Sequence, residues 1–254
     1  MTTSLASTLP VAVGMAAAAG LVGCYAVMRR MALASDAISH VALPGIGLAL
    51  VLRVHPLLGG IAALLVGTLL IWALENKTRL PVDAVTGVVF SAALAVGTML
   101  TSGESLIEAL LGTSSTLSPL EAAFGLGAAG AIVTFTLRAR HRLVLALVSA
   151  DMARTSGVDV AGLDLLYLLA FAVTVALGLR YLGVLLMGSL IIIPAATARH
   201  IAKSLTTMLA IAVAVAVLST VLGIVAADRL HRESGPLIIL IAATIFVLTL
   251  FKRR

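Results

Sequence analysis

LTTMLAIAVAVAVLSTVLGIVAA, residues 205–227, runs for 23 positions without a charged side chain. As an α-helix rising 1.5 Å per residue it is about 35 Å long. A bilayer's hydrocarbon core is about 30 Å thick, so this segment alone is long enough to cross it. Its apolar residues are continuous and do not alternate with polar ones, unlike the strands of a membrane barrel. Working outward, apolar segments recur at about 9–28, 34–52, 57–74, 84–101, 119–137, 163–180, 183–198 and 236–251. Hydrophobic residues make up 61% of the 254 positions and charged residues 11%. A soluble domain carries about 25% charged residues. The surface of this chain must therefore face something other than water, and mean hydropathy of +1.18 agrees. The expected fold is all-α: one polytopic transmembrane helical bundle, with residues 1–254 as a single domain.

The positions of Lys and Arg orient it. With nine crossings, 13 of the 17 basic residues share one side, and Arg53, Arg180, Arg229 and Arg232 hold the other. Segment 183–198 is short and contains Pro194, so it could fail to cross. The split would then be 10 against 7. The positive-inside rule selects nine crossings over eight, with the N-terminus outside and the C-terminus cytoplasmic. The N-terminal MTTSLASTLP has no Lys or Arg before its first apolar run. It makes a poor secretory signal, and the first helix is expected to be retained.

Several function classes fall away. The net charge of +6 comes from small basic clusters between apolar runs, the pattern of cytoplasmic loops and not of a nucleic-acid binder. The one cysteine, Cys24, rules out a disulfide framework or cysteine metal site within a single chain. No G-x-x-x-x-G-K-[ST] occurs, so the chain has no P-loop for ATP, and no H-E-x-x-H zinc-protease motif is present.

RRMALASDAISHVALPG, residues 29–45, holds the most informative polar groups. Asp36 and His40 are four apart and share a helix face. His40 lies ten residues beyond Arg30, or about 15 Å along a helix and so near mid-bilayer. An unpaired Asp at a helix centre costs on the order of 3 kcal/mol, so such groups face a cavity or a partner. Carboxylate and imidazole also suit a divalent first-row metal. The spacing fits equally an Asp–His hydrogen bond that fixes two helices. Pro44 and Gly45 follow, reading as a kinked or broken helix beside a pathway. SADMARTSGVDVAGL, residues 149–163, is a short polar segment whose Asp151–Thr155 could form a turn or two of helix ended by Gly157. It reads as an amphipathic loop helix or as a docking surface for a cytoplasmic partner. LGVLLMGSLIIIPAATARHIAK, residues 182–203, has small residues for close packing and a break expected at Pro194. His55, Glu104, Glu108, His231 and Glu233 fall on the outer side, as solvated loop residues or an entry rim for a cation.

Together these stretches resemble the integral membrane permeases of the ABC-3 family, subunits of bacterial ABC importers for zinc, manganese or iron. The likeness spans about Met28 to Phe251. RRMALASDAISHVALPGIGLA resembles the family's arginine-led D-x-x-x-H-x-x-x-P-G segment, with Ser35 where many members have Gly. LPVDAVTGVVFSAALAVG is similar to its D-x-x-x-G-x-x-[FY]-[ST] segment, through Asp83, Gly87, Phe90 and Ser91. SADMARTSGVD resembles its cytoplasmic coupling segment, carried by Asp151, Ala153 and Gly157, which implies Asp151, Met152, Ala153, Arg154, Thr155 and Gly157 as the coupling residues. LGVLLMGSLIIIPAATA resembles its late helix, ending in Pro194 to Ala198. The resemblance implies a pathway metal contact at Asp36 and His40, and a permease homodimer. It also implies cytoplasmic ATPase subunits, an external metal-binding protein and no ATPase site on this chain. The divalent metal ion would be cargo, with no permanent cofactor, and the location a bacterial inner membrane. Two other readings compete: an ion-coupled secondary transporter with Asp36 and His40 as a proton relay, and an intramembrane enzyme using Ser39 or Ser35. Ser39 and His40 are adjacent and diverge on a helix, and no G-x-S-x-G elbow supports the enzyme.

Overall fold

A computed structural model of the chain describes residues 2–31, 37–78, 80–100, 118–181 and 184–251, with side chains from Leu9 onward and without those of 180–186. Among the described residues the regular structure is helical and contains no strand. The helices are α1 (Thr2–Met28), α2 (Ala42–Val51), α3 (Pro56–Thr78), α4 (Val82–Leu100) and α5 (Pro119–Val148). There follow α6 (Ala150–Thr155), α7 (Val160–Tyr181), α8 (Val184–Ile201), α9 (Leu205–Leu230) and α10 (Ser234–Leu250). Among the described residues, six spans are long and apolar enough to cross a membrane: Leu9–Met28, Pro56–Thr78, Val82–Leu100, Pro119–Val148, Val160–Leu179 and Leu205–Leu230. Ala37–Val51 and Ser234–Leu250 are shorter apolar helices.

Helix α1 is the axis of the bundle. It has no charged residue, and 72% of its apolar span is buried, against 22% for α4 and α5. A helix apolar on every face belongs inside. Here α1 packs against α5, α7, α8 and α9. Its Ala16, Ala18, Ala19 and Ala26 are fully buried, and side chains this small let neighbouring backbones come close. A second group forms beside it, where α2 packs on both α3 and α4, and α3 joins the rest through α7. Three hydroxyls in the apolar interior bond back to their own helix: Thr136 to the Ile132 carbonyl, Thr174 to Ala170 and Thr197 to Ile193, all at 2.7–2.8 Å. This satisfies a polar group where water is scarce.

Two expectations about breaks need correction. α8 runs unbroken through Pro194. Proline leaves the carbonyl four residues back without its helical partner. Here Leu190, Ile191, Pro194, Ala195 and Ala198 are all buried, so packing from neighbouring helices keeps the helix continuous across the defect. In the 37–51 segment the interruption lies at Val41, and Pro44 sits in the first turn of α2. A missing N–H costs little at that position. A third difference concerns length. The apolar run at 119–137 continues as helix to Val148, because arginine is a good helix former and nothing before Ser149 ends the helix.

The helix ends sort into two groups. Arg29, just past α1, pairs with Asp164 near the start of α7. Arg199 near the end of α8 donates to the Val27 carbonyl at 2.8 Å. Trp72, late in α3, donates its indole N–H to the Ala161 carbonyl at 3.1 Å. The C-terminal ends of α1, α3 and α8 and the N-terminal end of α7 therefore meet at one basic end of the bundle.

Candidate functional site

His40 ends the helical turn that precedes Val41, in the group formed by α2, α3 and α4. Its ring is half-buried, and its centroid is 5.9 Å from that of Phe90 on α4, with the planes tilted by 56°. Imidazole and phenyl at this separation make a favourable aromatic contact. Phe90 thereby fixes the face of His40 that α4 covers. Asp36, the carboxylate four residues earlier in the sequence, lies outside the described residues, as does Ser35. Ser39 is buried beside His40.

What holds this segment in place is close backbone contact. Gly45 on α2 and Gly59 on α3 face each other so closely that a Cβ on either would overlap the other's carbonyl oxygen. Only glycine permits that approach. On the other flank, Gly97 of α4 lies against the backbone of Pro44. Pro44 and Gly45 thus wedge α2 between two helices, and His40 sits a few residues before that wedge. Pro194 is elsewhere, on α8, which packs against α1, α7, α9 and α10.

Two hydroxyls near this segment escaped the sequence reading. Thr68 on α3 and Thr86 on α4 are buried, and their Oγ1 atoms have no hydrogen-bond partner among the described residues. Thr86 is one turn before Phe90 on the same helix face. Isolated threonines in apolar helices were the available signal, but threonine usually bonds its own helix, so residue type alone could not mark them.

The polar segment after α5 forms α6, six residues capped by Ser149, whose hydroxyl accepts from the Met152 N–H at 3.2 Å. Gly157 follows with φ of +78°, a left-handed conformation that glycine adopts without strain. Ala153 is fully buried under the helix, while Met152 is 57% exposed and Asp151 and Arg154 pair on the outer surface at 3.1 Å. α6 packs on α5 and α7 and stands apart from the His40 segment.

Of the residues expected on the outer side, His55 is exposed and its Nδ1 accepts from the Leu57 N–H at 3.3 Å, capping α3. His231 closes α9 in the left-handed conformation, and Glu233 precedes α10 without a side-chain cap bond. Glu104 and Glu108 lie outside the described residues. Asp83 is exposed in the first turn of α4, where a carboxylate complements the helix dipole. Among the described residues, no three or more His, Cys, Asp or Glu come together as a metal site would require.

The ABC 3 transport family profile matches residues 1–253. The chain belongs to that family. Among its relatives, the high-affinity zinc uptake system membrane protein ZnuB of Haemophilus influenzae is 30% identical, over 91% of this chain and 90% of that one. The chelated iron transport system membrane protein YfeD of Yersinia pestis is 31% identical, over 91% and 79%. The solved structure of PsaBC from Streptococcus pneumoniae in complex with Fab superposes with a TM-score of 0.82 at 26% identity, covering 98% of this chain and 91% of that one. The chain is thus a multi-pass membrane protein with the fold of an ABC transporter permease. In this family frame, the motif stretches separate into three places: the His40 wedge, the α6 end and the Pro194 helix.

Proposed function

We propose that the chain is the permease of an ATP-driven importer of a divalent transition metal, zinc, manganese or iron. Two copies would form the pathway and alternate access to it. The observation that carries this reading is His40. It is a half-buried imidazole in an apolar helix group, held by Phe90 and the Gly45–Gly59 contact, with a carboxylate four residues earlier in the sequence. Relatives named for zinc, manganese and iron transport support the cargo class. One chain would supply Asp36 and His40, only two ligands. Transition-metal sites such as those of zinc usually take four, and a two-fold axis would double the set. Such a site should be weak, because a transporter releases what it binds.

The remaining parts follow from position. α6 stands at the basic end with Ala153 anchored and Met152 outward, which suits docking of a cytoplasmic ATPase subunit. The sequence has no P-loop of its own. An extracytoplasmic binding protein would deliver metal at the opposite end. The shared end of α1, α3, α7 and α8 supports nine crossings, with the basic end and the C-terminus cytoplasmic.

The test is metal accumulation by cells carrying Asp36→Ala or His40→Ala variants at normal expression. Uptake should fall at least tenfold. Wild-type uptake in both variants would sink the site assignment. Full uptake in cells lacking the ATPase subunit would instead favour an ion-coupled transporter.

A further inference from the structure

The basic end holds a cavity that the transport reading does not use. It is open, about 280 Å³ in volume, and lies between α1, α5, α8 and α9. Met28, Val144, Leu205 and Met208 form its apolar wall, and Arg199 and Lys203 supply its charge. Arg199 spends one donor on the Val27 carbonyl, and a guanidinium carries five. Lys203 is exposed at the rim. Arg140, four residues before Val144, adds a basic group on the same face of α5 and donates its Nε–H to His141 Nε2 at 3.0 Å. The start of α9 adds the positive end of a helix dipole, with Ser204 as its N-cap.

Among the described residues, no carboxylate on the cavity's walls answers this charge. α1 and α8 contain no Asp or Glu. The only acid of α5 is Glu121 in its first turn, and the only one of α9 is Asp228 near its last. Each lies 23 residues, or about 35 Å of helix, from the cavity end. Asp151 on α6 is exposed and already paired with Arg154.

We propose that this cavity binds the phosphodiester headgroup of an anionic phospholipid from the leaflet at the basic end. Positive charge with no counter-charge on these walls among the described residues, at the level where α1 leaves the apolar layer, calls for an anion. The apolar wall is what decides for a lipid over a free phosphate, because Met28, Val144, Leu205 and Met208 would lie along the upper acyl chains. The size also fits. At about 280 Å³ the cavity sits just below the roughly 300–1,000 Å³ of drug-sized ligand sites, which leaves room for a headgroup with its acyl chains outside.

The experiment is lipid retention by the purified chain, followed by native mass spectrometry with phosphatidylglycerol and phosphatidylcholine in turn. The wild type should retain phosphatidylglycerol preferentially. Lys203→Gln should lower that retention roughly fivefold, as removal of one interfacial charge does, and leave phosphatidylcholine unchanged. Arg199→Gln should lower it further. Because Arg199 also caps α1, Lys203→Gln carries the decision. Equal retention of the two lipids, or wild-type retention of phosphatidylglycerol by Lys203→Gln, would overturn the proposal. Displacement by millimolar inorganic phosphate would reassign the cavity to a free anion. Loss of a co-purifying ATPase from Lys203→Gln with lipid retention intact would reassign it to protein docking.

Discussion

An arginine at the end of an apolar helix ordinarily extends its stem to reach water. Arg29 folds inward instead, with its side chain 11% exposed. It pairs with Asp164 and stacks with its guanidinium carbon 4.7 Å from the Tyr167 ring centroid. Tyr167 donates its hydroxyl to the Val22 carbonyl at 3.0 Å and meets Tyr25 edge-on at 6.3 Å. This cluster ties α1 to α7. Removing one member strands the other charge, so Arg29→Leu or Asp164→Leu should cost about 3 kcal/mol, at the low end for breaking a buried pair. The double variant should melt above either single variant, which a thermal-shift cycle in detergent measures. Tyr167→Phe keeps the ring and loses one hydrogen bond, for a cost of about 1 kcal/mol. His40 stood out in the sequence because its spacing to Asp36 is local. The Arg29–Asp164 pair was not, because its members are 135 residues apart and neither stands out by type.

Among the elements, α2 depends on its neighbours more than on itself. Ten residues of helix do not hold in isolation, and the Gly45–Gly59 contact sets its place. Gly45→Val should push α2 from α3 and cost about 1–3 kcal/mol, the usual range for overpacking. Gly87→Ala is the control, since its Cβ would meet nothing within 4 Å. It should leave the melting temperature and metal uptake near wild type, whereas Gly45→Val lowers both. α6 is delimited by its caps. Ser149→Ala should lose about 1 kcal/mol of local stability with the N-cap bond. Gly157→Ala should strain the left-handed turn by about 1 kcal/mol. In the proposed complex, both variants should weaken stimulation of the ATPase by metal-loaded binding protein without abolishing its basal hydrolysis. Loss of basal hydrolysis as well would assign α6 to assembly alone. The turn around Gly157 was readable from sequence, since glycine ends helices this way. The fate of Pro194 was not, because packing outside α8 decides whether a proline breaks it.

For the whole molecule, the choice between eight and nine crossings turns on Lys203. In a background where buried Cys24 is replaced by Ala, Thr155→Cys and Lys203→Cys should react with an impermeant thiol reagent from the same face of the membrane. His231→Cys should react from the opposite face. With eight crossings, Lys203→Cys and His231→Cys would exchange faces. The exposed apolar residues of α4, such as Val88 and Met99, need lipid or a second copy against them, since water would be unfavourable.

The sequence by itself determined that the chain is helical and membrane-spanning, where its long apolar segments lie, and which local motifs carry polar groups. These depend on hydrophobic run length and on residues within a turn or two of one another. The tertiary structure decided the rest. It put α1 at the centre, passed α8 through Pro194, wedged α2 by the Gly45–Gly59 contact and turned Arg29 onto Asp164. Each outcome depends on close packing between segments far apart in the chain, which no local pattern encodes.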